Sequence, residues 1–412
     1  MSLRFDRVRV GDLAHIEMGQ SPDSTRVFYG QEAGLPFLQG NAEFGPQNPE
    51  PRFSCTRPLK KCRAGDLLIS VRAPVGEINI ADRNYCIGRG LAVIRLHGVE
   101  PVLAAEIVKT AAPSLRRVAQ GTTFEAISKA DLQSLVIDVP PVLERPVIQA
   151  VIEALTTTIR QTEAIIEKLK LVKQGLLHDL LSHGVDANGE LRPPQNQAPH
   201  LYKESTLGWI PKEWLVGPVE RFLGGVIDYR GKTPTKANVG TPLITAKNVR
   251  LGYIDPEPRE FISDRSFEQW MTRGIPKMGD VLFTTEAPLG NVAQIDTEGR
   301  LAFAQRIIIL QSNELLIGAY LKYLLLGEEF RRRLFATGSG STVEGIKQST
   351  FRKLTIAVPT DRNEQRFVIK RLAEADLHMK GEGANSDKLR FMKAGLSDDI
   401  LTGRVRVTPL LT

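Results

Sequence analysis

The chain is written twice, and that constrains its fold more than any other feature. "AGDLLISVRAPVGEI" from Ala64 returns as "MGDVLFTTEAPLGNV" from Met278. Gly65-Asp66 matches Gly279-Asp280, and Ala73-Pro74-x-Gly76 matches Ala287-Pro288-x-Gly290, both 214 residues later. "GLPFLQGNAEFG" from Gly34 resembles "GTPLITAKNVRLG" from Gly240, and "GTTFEAISKADLQSLVIDVP" from Gly121 resembles "GSTVEGIKQSTFRKLTIAVP" from Gly340. "KQGLLHDLL" from Lys173 returns as "KAGLSDDIL" from Lys393. Block order is kept while the offset drifts from 206 to 220, as it does when loops differ in length. Repeats of about 200 residues are too long for a solenoid. They predict two copies of one domain, each followed by one accessory element.

That element is a long helix. From about Pro146 to Ser182, apolar residues fall at Ile148, Ile152, Leu155, Ile159, Ile166, Leu169, Leu176 and Leu180, with Thr162 and Lys173 completing the steps of four and three. This is a heptad seam. At 1.5 Å per residue it would span roughly 55 Å. The second copy carries Val368, Leu372, Met379, Leu389, Leu396 and Ile400. Its middle, "KGEGANSD", is poor helix, since Gly381 and Gly383 each cost roughly 1 kcal/mol against Ala; a weaker, kinked or frayed helix is expected there. A seam this long cannot be buried by a lone helix. Pairing the two helices is the simplest solution; folding each back on its own domain is the other.

The globular halves read as mixed α/β. "DLLISV", "LAVIRL", "LVIDV", "DVLFTT", "RIIILQ" and "LTIAV" are short strand-forming runs bounded by turn residues, and 318–335 reads as helix. The expected fold class is α+β: two similar mixed α/β domains separated by two long helices in an antiparallel coiled coil, with pseudo-two-fold symmetry. The boundaries expected are 1–145 for the first domain, 146–183 for the central helix, 184–206 for a Pro/Asn/Gln-rich surface linker, 207–362 for the second domain and 363–404 for the distal helix.

Charge and cysteines narrow the chemistry. The net charge of +7 and pI near 9.2 permit nucleic acid without proving it. Three cysteines and a charged N-terminal stretch point to free thiols in a reducing, cytoplasmic setting. Cys55 and Cys62 lack zinc spacing, and no apolar run approaches 18 residues, so neither a metal nor a membrane is expected. Gly231-Lys232-Thr233 imitates the end of a phosphate-binding loop, but Val226 stands where the first Gly is required and Pro234 forbids the following helix. Between Asp228 and Gly252 there are instead five Lys/Arg (Arg230, Lys232, Lys236, Lys247, Arg250) and one acid. A basic loop punctuated by Gly and Pro suits a polyanion. No catalytic constellation stands out. "DVPPV" (138–142) lacks the Asn or Asp before the prolines and the aromatic after them that an amino-methyltransferase motif needs, and His178, Asp179 and His183 read as solvated helix-end residues.

These residues together resemble the specificity subunit of type I restriction-modification systems, over nearly the whole chain. "GWIPKEW" (208–214), "GKTP", "TPLITAKNVRLG", the passage 358–372 and the ending "KAGLSDDILTGRVRV" carry the resemblance, with "PPVLERPVIQAVIEAL" as the central repeat. Arg145 departs from the Gln usual there, and Thr360 replaces a second proline. The resemblance implies a non-catalytic subunit. Two target recognition domains would each read one half of a bipartite, asymmetric double-stranded DNA site. The paired helices would set the gap and dock two modification subunits, and through them restriction subunits. S-adenosylmethionine, ATP and Mg would belong to those partners, with no cofactor in this chain. The alternative is a stand-alone two-lobed methyltransferase or nuclease.

Two readers on one face of a duplex would sit about one helical turn (~34 Å) apart. Phosphate contacts would supply affinity and base edges choice. The DNA-contact candidates of the second domain are Arg230, Lys232, Thr233, Lys236, Lys247, Asn248, Arg250, Arg306 and the turn holding Ser339, Ser341 and Thr342. Those of the first are Gln20, Ser21, Arg26, Gln39, Asn41, Arg72, Arg89, Thr122 and Thr123. Arg331-Arg332-Arg333 reads as a solvated face or a contact to DNA or a partner.

Overall fold

A computed structural model describes residues 5–30, 34–119, 126–229, 233–337 and 345–411. Its two compact units cut across the long helices. One joins residues 1–164 to 383–412; the other is residues 165–382.

In the first unit a four-stranded antiparallel sheet runs in the order Ala14–Met18, Leu91–Leu96, Leu67–Ser70, Ile78–Ile80. A second sheet runs Val27–Tyr29, Phe53–Cys55, Leu35–Leu38, Tyr85–Ile87, Lys61–Cys62. The second unit repeats the plan. Its four strands are Leu223–Asp228, Ile307–Ser312, Val281–Thr284 and Val292–Gln294, and its smaller sheet is Phe261–Ile262, Thr241–Ile244, Ala302–Phe303. Each unit also pairs an early strand with its last: Asp6–Arg9 with Val136–Val139, and Trp214–Pro218 with Thr355–Pro359.

The apolar runs have a direct cause. Side chains alternate across a strand, so a run apolar at every position needs cover on both faces. Leu67 and Ile69 face the core shared with the helix Pro101–Ala119, and Leu68 faces the core under the second sheet. In the second unit Val281 and Phe283 face one core and Leu282 the other.

The repeated motifs become repeated geometry. Asp66 and Asp280 each accept from a backbone N–H three residues earlier, of Arg63 at 2.8 Å and Lys277 at 2.9 Å. In the Ala-Pro-x-Gly turns, Ser70 Oγ donates to Pro74 O at 2.6 Å, and Thr284 Oγ1 to Pro288 O at 2.5 Å.

The long helices span Arg145–Ser182 and Arg362–Leu401. Each unit holds the start of one and the end of the other, antiparallel. In the first unit Glu163 pairs with Arg390 at 2.5 Å; in the second Lys173 pairs with Asp376 at 2.5 Å. Every seam position of the central helix is buried or half-buried, Thr162 and Lys173 included. The same holds at Val368, Leu372, Met379, Leu389, Leu396 and Ile400. The frayed middle expected at "KGEGANSD" is corrected: the distal helix is unbroken through Gly381 and Gly383. Half-buried Met379 and Leu389 and buried Ser386 flank the glycines, and this packing, with ion pairs at Asp376 and Arg390, holds the helix through them.

Two more expectations change. Residues 184–206 are not an extended surface linker. Val185, Ala198 and Tyr202 are buried in the second unit, and Tyr202–Ser205 pairs with Gly208–Pro211. The helix expected over 318–335 is two, Gly318–Leu326 and Glu328–Thr337, divided at Gly327.

Each unit is clasped by one buried carboxylate at the start of a long helix. Glu364 accepts from Arg192 Nη1 at 2.5 Å, Arg192 Nη2 at 3.0 Å, Val185 N at 3.0 Å and Trp214 Nε1 at 3.1 Å. Its counterpart Glu144 accepts from Arg406 Nε at 3.3 Å, from Arg406 Nη2, and from Thr408 Oγ1 at 2.9 Å. The Arg406 hydrogen bond holds the Glu144 carboxyl below its ordinary 4.5. Arg145 also has a physical reading. Gln365 ties the strand end Pro359 O and the loop Leu315 O, both at 2.9 Å. Arg145 reaches the matching carbonyls, Pro140 O at 2.9 Å and Gly98 O at 2.7 Å.

Candidate nucleic-acid interface

A parallel strand pair sends both chains out of a sheet at the same end, so the loops that follow are neighbours. In the first unit Phe37 and Leu38 lie beside Cys86 and Ile87 in parallel. The chain leaves these strands at Gln39-Gly40-Asn41 and Gly88-Arg89. The loop at Gln20-Ser21 joins them: Gln20 N donates to Ile87 O at 3.0 Å, Ser21 Oγ to Gln39 Oε1 at 3.3 Å, and Arg89 N to Ser21 Oγ at 3.2 Å. Gly90 N donates to Gln39 O at 3.2 Å, and Val71 N to Gly90 O at 2.9 Å, which brings Arg72 to the edge of the group. Six sequence candidates thus form one polar tip: Gln20, Ser21, Gln39, Asn41, Arg72 and Arg89. Arg26 lies apart, at the start of the outer strand. Thr122 and Thr123 lie outside the described residues.

Glu43 builds this tip and was not singled out from sequence. It is buried, and its Oε2 accepts from Gln39 N at 3.1 Å and Gly40 N at 3.0 Å. Those bonds fix the turn that presents Gln39 and Asn41. The spacing Gly40-x-x-Glu43, a carboxylate reaching back to a turn's first amides, was the available signal.

The second unit makes the equivalent tip. Leu243 and Ile244 lie parallel to Ala302 and Phe303, and Ala304 N donates to Ile244 O at 2.9 Å. The chains leave toward Lys247 and Arg306. Electrostatically the two tips differ. Lys236 pairs with Glu260 at 2.8 Å, Arg250 with Asp255 at 3.2 Å, and Arg306 with Glu286 at 3.0 Å. Asp255 and Glu260 sit just beyond the window in which five bases were counted against one acid, so the local basic excess is smaller than it read. Arg26, Arg72 and Arg89 are exposed, with no ion pair of theirs among the described residues.

Asn248 is a correction. It is 1% exposed, and its amide is fully used. Oδ1 accepts from Thr245 N and Oγ1 at 2.9 and 2.8 Å; Nδ2 donates to Asp255 O and Pro258 O at 3.0 and 3.1 Å. It shapes the loop that lifts the exposed Lys247, and has no free group for a base edge. Thr233 is exposed. Arg230, Lys232, Ser339, Ser341 and Thr342 lie outside the described residues. Arg331 and Arg333 serve the fold, donating to Gly290 O at 2.7 Å and Thr355 O at 2.6 Å, while Arg332 pairs with Glu329 at 2.6 Å.

Among the described residues no His/Cys/Asp/Glu group could hold a metal ion, and no helix is long and apolar enough to cross a membrane. Cys55, Cys62 and Cys86 are buried free thiols. Burial pushes Cys62 and Cys86 up to about 12, far from reactive thiolates.

Residues 4–171 match the family described as type I restriction modification DNA specificity domain. A putative type I restriction enzyme MjaX specificity subunit of Methanocaldococcus jannaschii is 39% identical over 170 residues, 40% of each chain. The MjaIX specificity subunit of the same organism is 30% identical over 174 residues, 40% of this chain and 39% of that one. The aligned segments therefore span about two fifths of these curated relatives. In fold, the chain is similar to the S subunit of a type I restriction-modification system from M. genitalium, with TM-score 0.57 at 13% identity over 96% of each chain. It is also similar to a chain solved in work on complex assembly of the type I R-M system, with TM-score 0.59 at 16% identity over 97% of this chain and 98% of that one.

Proposed function

We propose that this chain, which carries a type I restriction modification DNA specificity domain over residues 4–171, is the DNA-reading, non-catalytic subunit of such a system. Each unit presents one loop tip to one half of a bipartite duplex site. The observation that carries the reading is the pair of tips: two equivalent loop clusters on one scaffold, built from different side chains. A reader of two unlike half-sites needs that combination. Arg72, Arg89 and Lys247 supply phosphate contacts or guanine recognition; Gln20, Gln39 and Asn41 suit adenine or cytosine edges. The paired helices dock two modification subunits, which bring S-adenosylmethionine; restriction subunits, with ATP and Mg, join through them.

The test is a methylation map of DNA from a host expressing this chain with a cognate modification subunit. One asymmetric, two-part motif is the expected result, absent when this chain is omitted. Methyl transfer or cleavage by the purified chain alone would establish the enzyme alternative instead.

A further inference from the structure

The outer strand of the first unit's five-stranded sheet carries a side chain that the tip described above does not use. Tyr29 is 86% exposed, at the last position of Val27–Tyr29. It stands directly across from Phe53, itself 37% exposed, with ring centroids 5.7 Å apart and planes at 83°. Lone exposed apolar residues are ordinary. An edge-to-face aromatic pair joining an edge strand to its neighbour is different, because two large rings reach solvent where smaller polar residues would satisfy the strands.

Register places this pair. Phe53 is flanked by Tyr29 on one side and by Phe37 on the other. The strands ending at Tyr29, Leu38 and Ile87 run in the same direction, since the first two both oppose 53–55 and the third is parallel to the second. Tyr29 therefore emerges at the end of the sheet from which Gln39, Asn41 and Arg89 emerge. Arg52, next to Phe53, is exposed there, and its carbonyl accepts from Gly30 N at 2.9 Å. Among the described residues, acids in the stretches 23–30 and 50–53 are Asp23, which is bonded to Thr25, and Glu50; Glu32 lies outside the described residues. In the second unit, among the described residues, the corresponding sheet has only three strands and no such pair.

We infer that Tyr29, braced edge-on by Phe53, is an aromatic wedge that packs against a base step of the half-site read by the first unit. The inference rests on the DNA-reading function proposed above. An aromatic face next to Arg52, at the same end of the sheet as Gln39 and Arg89, fits a duplex: the cations hold phosphate while the ring covers or parts the step. Proteins that deform DNA commonly insert apolar side chains in this way, and the cost of unstacking depends on the step, so such a contact selects sequence without hydrogen bonds. Among the described residues of the second unit no aromatic pair stands at the corresponding place, so the wedge is assigned to the first half only.

The experiment is selection from a random 40-bp duplex pool by the full chain co-purified with its modification subunits, followed by sequencing of the bound fraction. Wild-type protein should enrich a two-part motif. Tyr29→Ala should lower enrichment of one half about tenfold, the range of a lost base–aromatic contact, and leave the other half and the melting temperature unchanged. Tyr29→Phe should keep the motif, because the ring rather than the hydroxyl acts. Tyr29→Ala enriching the same motif to the same degree would overturn the wedge while leaving the DNA-reading function standing. Wild-type protein enriching no motif would overturn both. A uniform loss across both halves would also overturn the wedge, marking Tyr29 as a general rather than a step-selective contact.

Discussion

The two units share a scaffold to the level of single hydrogen bonds and differ at their tips. Asp66 and Asp280, Ser70 and Thr284, Glu144 and Glu364 do the same structural work in each. The tips are unlike. In the first, Arg72 and Arg89 are exposed beside a Gln/Ser/Asn cluster; in the second, Lys236, Arg250 and Arg306 are neutralised by acids of their own unit. The lesson is that divergence is concentrated where the chain leaves the parallel strands, while the supports beneath are held. Under the DNA-reading function proposed above, such a scaffold would let one half change what it reads without altering the supports of the other.

The clasps offer the strongest test of that equivalence. Glu364→Ala strips a buried acceptor from a buried arginine, an indole N–H and a backbone N–H. It should cost about 3–5 kcal/mol of unfolding free energy, measured by chemical denaturation. Glu144→Ala should cost less, because Arg406 is about one third exposed and can be rehydrated. Equal losses would break the argument that burial ranks the two clasps. Next in size is the seam. Ile159→Asp places a carboxylate at a 9% exposed position and should separate the helix pair in the first unit, lowering co-purification of modification subunits while the second unit keeps its unfolding transition. Unchanged assembly would remove the helix pair from docking.

Smaller effects sharpen the contrast between tips. Arg89→Ala should reduce the salt slope of DNA binding by about one. Lys236→Ala should change it less, because Glu260 already holds that ammonium. A larger effect at Lys236 would show that its ion pair opens on DNA. The smallest effect concerns acid. Burial lowers the His183 pKa below its ordinary 6.5. The unfolded chain therefore takes up the proton first. This histidine's contribution to the second unit's stability is complete above about pH 6.5 and falls as pH drops from there toward the lowered folded value. His183→Gln should flatten that part of a stability–pH curve; an unchanged curve would remove His183 as its cause.

Much of this was legible in the sequence, for reasons that can be named. The repeat, the strand runs and the heptad seam are periodic signals, and periodicity survives without knowledge of tertiary contacts. Even Thr162 and Lys173, polar within the seam, turn inward as the spacing required. What failed was long-range. Gly381 and Gly383 read as helix breakers because the flanking ion pairs of Asp376 and Arg390 lie over 200 residues away in sequence. The stretch 184–206 read as linker because Arg192 finds Glu364 only in the fold. Asn248 read as a contact because composition cannot say which way an amide faces. The resemblance to type I specificity subunits supplied the functional frame, and the parallel-strand geometry showed which candidates stand together. Tyr29 and Phe53 escaped notice because a cross-strand pair depends on register.

The most direct test of two independent readers on one scaffold is a methylation map of the double variant Gln39→Ala/Arg89→Ala, expressed with its modification subunits. One half of the wild-type motif should relax while the other stays intact. Relaxation of both halves together, or of neither, would contradict the account.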